Sequence, residues 1–217
     1  VSNAAEYSAK IEEVRNSASR VSVISSKLKE IQHLINQDKI EDLEELLGIP
    51  EIISAIETNP RFVHLGGEVR LLKKQYEESV KFLQDFFDQN KGALNENLKS
   101  LSTLGKALCF CKKFDEALMI FERLESKSPK NLSYKISVGD ALLGLENIAD
   151  ADKKFDQVLE EDPNNNQALV GKGKVAAIEG NFESSQSFFE KVHGSFESRT
   201  LASFFNNRGV SMIHKGK

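Results

Sequence analysis

Gly105, Gly139 and Gly173 stand 34 residues apart, and they do not recur alone. The same step relates Phe114, Ile148 and Phe182, then Phe121, Phe155 and Phe189, then Leu124, Val158 and Val192. Ala117 and Ala151 keep it, with Ser185 in third place, and so do Pro129 and Pro163. A period shared by several independent positions restricts the chain to folds that stack one supersecondary unit many times.

The unit reads as a helical hairpin. Leu101, Leu104 and Leu108 recur at helical spacing with Gly105 among them, and Lys112-Lys113 marks a turn. Phe114, Ala117, Leu118, Phe121 and Leu124 then form a second amphipathic stripe, closed by Ser128-Pro129. Small residues at Gly105 and Ala117 let two helix backbones approach, Phe121 fills the space beside them, and Pro129 stops the second helix. A single hairpin cannot bury its own stripes, so neighbours must stack.

Residues 98–131, 132–165 and 166–201 therefore resemble tetratricopeptide repeats, whose 34-residue unit carries these small, aromatic and proline signposts. Val138-Gly139, Leu142, Ala151, Phe155 and Asp162-Pro163 make the second unit the clearest. The third departs from the pattern, with Glu197 in the proline position and two extra residues around His193-Gly194-Ser195, so that Gly209 follows Gly173 by 36 residues. Residues 60–97 form a divergent earlier hairpin, marked by Gly67, Tyr76, Ser79, Leu83 and Phe86, with a linker around Lys91-Gly92-Ala93. Residues 202–217 read as the first helix of a further unit, Leu201–His214, whose partner is absent, which predicts a piece of a longer protein. The resemblance implies an all-α, right-handed superhelical solenoid of antiparallel helix pairs.

A long N-terminal helix over 1–38 is expected to precede the solenoid. Ile11, Val14, Ala18, Val21, Ser25, Leu28, Gln32 and Ile35 follow alternate steps of three and four, a heptad pattern broken by two polar positions. Two readings stand. The helix packs this stripe on the end of the solenoid, or it forms a coiled-coil seam that makes the chain a homodimer. Residues 39–59 read as two short helices split by Gly48-Ile49-Pro50.

Composition excludes several classes of function. No apolar run reaches the roughly 20 residues needed to span a bilayer. The net charge of −4 gives no signal for nucleic acid. Locally the balance alternates: 6 basic against 11 acidic residues in 1–59, 7 against 4 in 98–131, and 3 against 8 in 132–165. Such alternation suits docking to a protein better than tracking a phosphate backbone. Two cysteines exclude a disulfide scaffold and point to a reducing, cytoplasmic compartment.

No catalytic or cofactor-binding constellation emerges. Cys109 and Cys111 stand two apart, which places them on different sides of a helix, and no histidine completes a metal site. Gly171-Lys172-Gly173-Lys174 lacks the upstream glycine and following hydroxyl of a phosphate loop. His33, His64, His193 and His214 form no pair at ligand spacing.

The resemblance instead implies a concave groove, lined by the first helix of each repeat, that takes another protein or a peptide. Carried onto this chain, the groove positions include Lys106 and Phe110, then Ile136, Asp140 and Leu143, then Gln167, Val170 and Lys174, then Asn206 and Asn207. Asp140, Lys174 and Asn207 have no obvious local partner in sequence, so they are expected to orient a ligand, with Ile136, Leu143 and Val170 supplying apolar contact. Lys154 is expected on the outer face. Asp140 stands where a carboxylate-gripping co-chaperone would need a neutral or basic group, which argues against that subfamily. Phe204-Phe205-Asn206-Asn207-Arg208-Gly209-Val210 resembles the repeat-containing output region of some bacterial response regulators. An oligomeric envelope or secretion adaptor is the third reading.

Overall fold

The computed structural model describes residues 2–91 and 97–192, with 2–17 described as backbone alone. Among these residues every regular element is a helix: α1 (Ser2–Asn36), α2 (Ile40–Leu47), α3 (Pro50–Thr58), α4 (Val63–Leu72), α5 (Tyr76–Gln89), α6 (Leu98–Phe110), α7 (Phe114–Lys127), α8 (Leu132–Gly144), α9 (Ile148–Glu161), α10 (Asn166–Ile178) and α11 (Phe182–Glu190). The chain divides into two compact units, Val1–Ala107 and Leu108–Lys217.

In the first unit the later half of α1 packs on α2, α3 and α4. Leu28, Ile31 and Leu34 bury themselves among Leu43, Leu46, Ile52, Ile56, Leu65 and Val69. The buried stripe keeps Leu28 and Ile35 of the heptad frame and departs from it elsewhere. Val21 is 66% exposed, and Ile31 and Leu34, outside that frame, are buried. The neighbours α2–α4 present a broad apolar surface, which selects the wider stripe of an ordinary core-facing helix over a narrow seam. Pro50 opens α3 in its first turn, where a missing N–H leaves no bond unmade.

The α4–α5 hairpin closes on Gly67. A Cβ there would lie 2.8 Å from Leu83 and 3.0 Å from Thr103, so only glycine permits the approach. Ser79, buried on α5, donates its hydroxyl to the Gly67 carbonyl at 3.0 Å. Ser185 repeats the device on α11, donating to the Gly173 carbonyl at 2.8 Å.

In the second unit consecutive helices α7 to α11 pack in sequence, and α8 also meets α10. Phe155 of α9 is fully buried, and its ring lies against two glycines at once. A Cβ on Gly139 of α8 would come within 2.7 Å of that ring, and one on Gly171 of α10 within 2.5 Å. Asn131 and Asn165 cap α8 and α10, each accepting from a backbone N–H of the first turn. Asn97 does the same for Ser100 at the start of α6. These three asparagines share the 34-residue step and mark the helix starts as plainly as the glycines mark the crossings.

Ion pairs tie neighbouring helices together. Lys154 of α9 reaches both carboxylate oxygens of Glu125 on α7 at 2.8 Å. Lys172 of α10 meets Asp152 at 2.7 Å and Asp156 at 2.8 Å on α9. Lys135 of α8 pairs with Glu161 of α9. Lys154 is therefore not a bare outer-face residue: its side chain and that of Glu125 are both largely covered.

Two outcomes test this packing. Gly171→Ala should lower stability by roughly 1–3 kcal/mol, because the Phe155 ring has no free space to enter. Calorimetry reads it, and an unchanged Tm would show that the ring is not held between the two helices. Lys154→Glu should also lower Tm, by the equivalent of about 1 kcal/mol, since it sets a carboxylate against Glu125. Restoration of Tm in the Lys154→Glu, Glu125→Lys double variant checks that cause.

Candidate functional site

On α8 and α10 the charged residues that follow the repeat glycines come together. Lys174 Nζ lies 3.5 Å from Asp140 Oδ1, with the Asp140 side chain 46% and the Lys174 side chain 28% exposed. The two were expected to be unpaired; they pair with each other, because one 34-residue step places them at the same height on adjacent helices. An exposed pair at this distance holds together by well under 1 kcal/mol, so a ligand group can open it. Leu143 follows Asp140 by three residues and Gln167 precedes Lys174 by seven, so each shares the helix face of its charged neighbour.

Other expected groove residues fall elsewhere. Ile136 and Val170 are both 4% exposed and cannot supply contact area; Val170 packs with Leu169, Phe189 and Val192 in the core. Phe110 is 58% exposed on the last turn of α6. Lys106 is exposed on α6 within the first unit. Asn206 and Asn207 lie outside the described residues, as do Gly92, Ala93, His193, Glu197, the helix expected at Leu201–His214 and the Phe204–Val210 motif.

The reactive side chains near this face are held quiet. Burial, helped by the negative charge of Asp140, pushes the Cys109 thiol up to about 12. It carries almost no thiolate at neutral pH and so no effective nucleophile. Lys172, in the glycine-rich stretch of α10, is occupied by Asp152 and Asp156. Burial alone would lower its pKa, yet the two carboxylates outweigh burial and the net shift is upward. Among the described residues no group of three or more His, Cys, Asp or Glu could hold a metal ion, and no helix is long and apolar enough to cross a membrane.

The first unit holds a polar cluster that the sequence reading missed. Glu68 of α4 accepts from Gln32 Nε2 of α1 at 2.8 Å. Its other oxygen lies 3.5 Å from the hydroxyl of Thr103 on α6, which also reaches the Lys99 carbonyl at 3.0 Å. One turn before Glu68, His64 is buried with Nδ1 unpartnered, and the buried Ser100 hydroxyl is likewise unpartnered. A signal for Glu68 was present: the residue after the repeat glycine is charged in the four units from Gly67 to Gly173, namely Glu68, Lys106, Asp140 and Lys174, with alternating sign.

No protein-family model matches the sequence, and no curated protein matches it. Solved structures do. MamA from Desulfovibrio magneticus RS-1, residues 41 to the end, superposes with a TM-score of 0.57 at 14% identity, over 77% of this chain and 92% of that one. MamA AMB-1 gives 0.56 at 16% identity, over 76% and 94%. YrrB, described as a TPR protein with an unusual peptide-binding site, gives 0.52 at 18% identity, over 76% and 82%. The chain has the tetratricopeptide-repeat fold. At these identities the likeness is one of architecture.

Burial holds the His64 imidazole below its ordinary value of 6.5; the charge of Glu68 opposes that shift and Lys99 adds to it. The unfolded chain therefore takes up this proton first as pH falls. Stability should decline from about pH 6.5 downward until the folded-state pKa is passed. His64→Gln should flatten that part of the profile of Tm against pH, and an unaltered profile would assign the acid sensitivity to other groups.

Proposed function

We propose that this chain is a non-catalytic scaffold that holds a peptide segment of another protein against the first-helix face of its second unit. The observation that carries the proposal is the Asp140–Lys174 pair: opposite charges, half in solvent, on neighbouring helices of a repeat fold. Together they offer one acceptor and one donor side by side, 3.5 Å apart, which suits an extended peptide carrying both a basic and an acidic group. Leu143 and Gln167 extend the face along each helix, and Phe110 adds an exposed ring within the same unit. The protonated Cys109 thiol fits a binding surface rather than a covalent one. YrrB, with its peptide-binding site, has the same architecture.

Selection from a displayed random-peptide library against the whole chain provides ligands for a direct test. Titration of the enriched peptides should show about tenfold weaker binding to Asp140→Lys and to Lys174→Glu, near 1.4 kcal/mol each. The circular dichroism spectrum should stay unchanged. Equal affinity for the parent chain and both variants would place binding away from this face.

A further inference from the structure

The first unit carries a cleft of about 400 Å³ between α1 and the start of α3. This volume lies at the small end of the range in which proteins hold small molecules, roughly 300–1,000 Å³. On α1 the wall is built from Arg20, Val23, Ile24 and Lys27, whose spacing puts them on one face of the helix. Ile49 and Ile52 close the other side. Ile24 and Ile52 also pack into the core of the unit, so the floor of the cleft is fixed. Val23, 58% exposed, and the exposed Ile49 stand at the mouth as apolar surface open to solvent.

Arg20, Lys27 and Glu51 bring charge to the rim, and two of the three are already answered. Lys27 Nζ lies 2.9 Å from Glu30 on the same helix. Glu51 stands in the first turn of α3, which Ile49 leaves without a side-chain cap, and there the helix dipole favours a carboxylate. Arg20 is exposed and makes no hydrogen bond or ion pair among the described residues. A guanidinium beside an apolar floor calls for a divided ligand, with an anionic group for the N–H donors and hydrocarbon for the isoleucines. Length sets how much hydrocarbon. From Arg20 to Lys27 the helix advances roughly 10 Å at 1.5 Å per residue, the span of an extended chain of about eight carbons. A partner helix of ordinary length, about 10–14 residues, would overhang so short a wall.

We infer that this cleft binds a small amphiphilic anion, a carboxylic acid with an unbranched apolar tail of medium length. The carboxylate takes paired hydrogen bonds from Arg20, and the tail lies along Val23, Ile24, Ile49 and Ile52 towards Lys27. The site belongs wholly to the first unit, whereas the Asp140–Lys174 face belongs to the second. Its chemistry differs as well: one unmatched positive charge beside hydrocarbon, in place of a pair of opposite charges.

The full chain can be titrated with octanoate and its relatives while the methyl resonances of valine and isoleucine are followed by NMR. Octanoate should bind with a Kd on the order of 0.1–1 mM, as a ligand of about ten heavy atoms allows, and should move the methyls of Val23, Ile24, Ile49 and Ile52. The uncharged 1-octanol should bind about fivefold more weakly, and octylammonium more weakly still. N-acetyl-leucine, which offers a carboxylate on a short branched chain as a peptide C-terminus does, should also lose about fivefold. Arg20→Gln should bring octanoate down to the affinity of 1-octanol, and Val23→Asp should weaken both. Each of these positions is exposed, so the circular dichroism spectrum should stay unchanged. Asp140→Lys should leave octanoate binding intact, which separates this site from recognition by the second unit. Equal binding of octanoate and octylammonium, no octanoate shifts up to about 10 mM, or shifts confined to other methyls would overturn the inference. So would tighter binding of N-acetyl-leucine, since the occupant would then be the end of a peptide.

Discussion

The second unit depends on one aromatic ring. Phe155 sits with its edge against Gly139 on one side and Gly171 on the other, closer than any side chain on those residues would allow. Two helix pairs thereby share a single plug. An array of hairpins is stable only if each interface is nearly as good as the interior of a hairpin. Here one buried residue serves both.

The same helix also carries the polar links. From α9, Lys154 reaches back to Glu125, Asp152 and Asp156 reach forward to Lys172, and Glu161 takes Lys135. Individually such pairs add little in water, but Lys172 and Glu125 are mostly covered, where screening is weaker. The ring sets how near the helices come, and the charges set how far one can slide along the next. The Asp140–Lys174 pair then stands at a defined height on α8 and α10.

Much of this was legible in the sequence. The 34-residue step gave the helical hairpins and the small-residue crossings at Gly139 and Gly173, because close approach of backbones leaves a composition no other residue can imitate. Charge pairs were less legible. Asp140 and Lys174 look isolated in the linear sequence, and only stacking of consecutive repeats brings them together. Ile136 and Val170 were read as groove residues because a helix position alone does not say how tightly the next helix covers it. In α1 the heptad frame of Val21 and Gln32 competed with the frame of Ile31 and Leu34. The apolar surface of α2–α4 decided between them, and that surface is not a property of α1. Gln32, the polar residue within that heptad frame, marks the break: its amide donates to Glu68.

The corners of the hairpins carry a different lesson. Lys74, Lys112 and Glu146, each at the turn between the two helices of a pair, adopt a left-handed backbone with φ of 60°. Only the last corner uses glycine, Gly180 at φ 84°. A left-handed residue with a side chain costs roughly 1–2 kcal/mol where glycine costs almost nothing. Three turns are thus wound against their own preference and held by the packing of the helices they join. Stability is in this way spread unevenly along the chain, with a cost at three of its corners. The chain has kept a reserve of stability unspent at three surface positions, where an exchange to glycine at each would relieve the left-handed backbone.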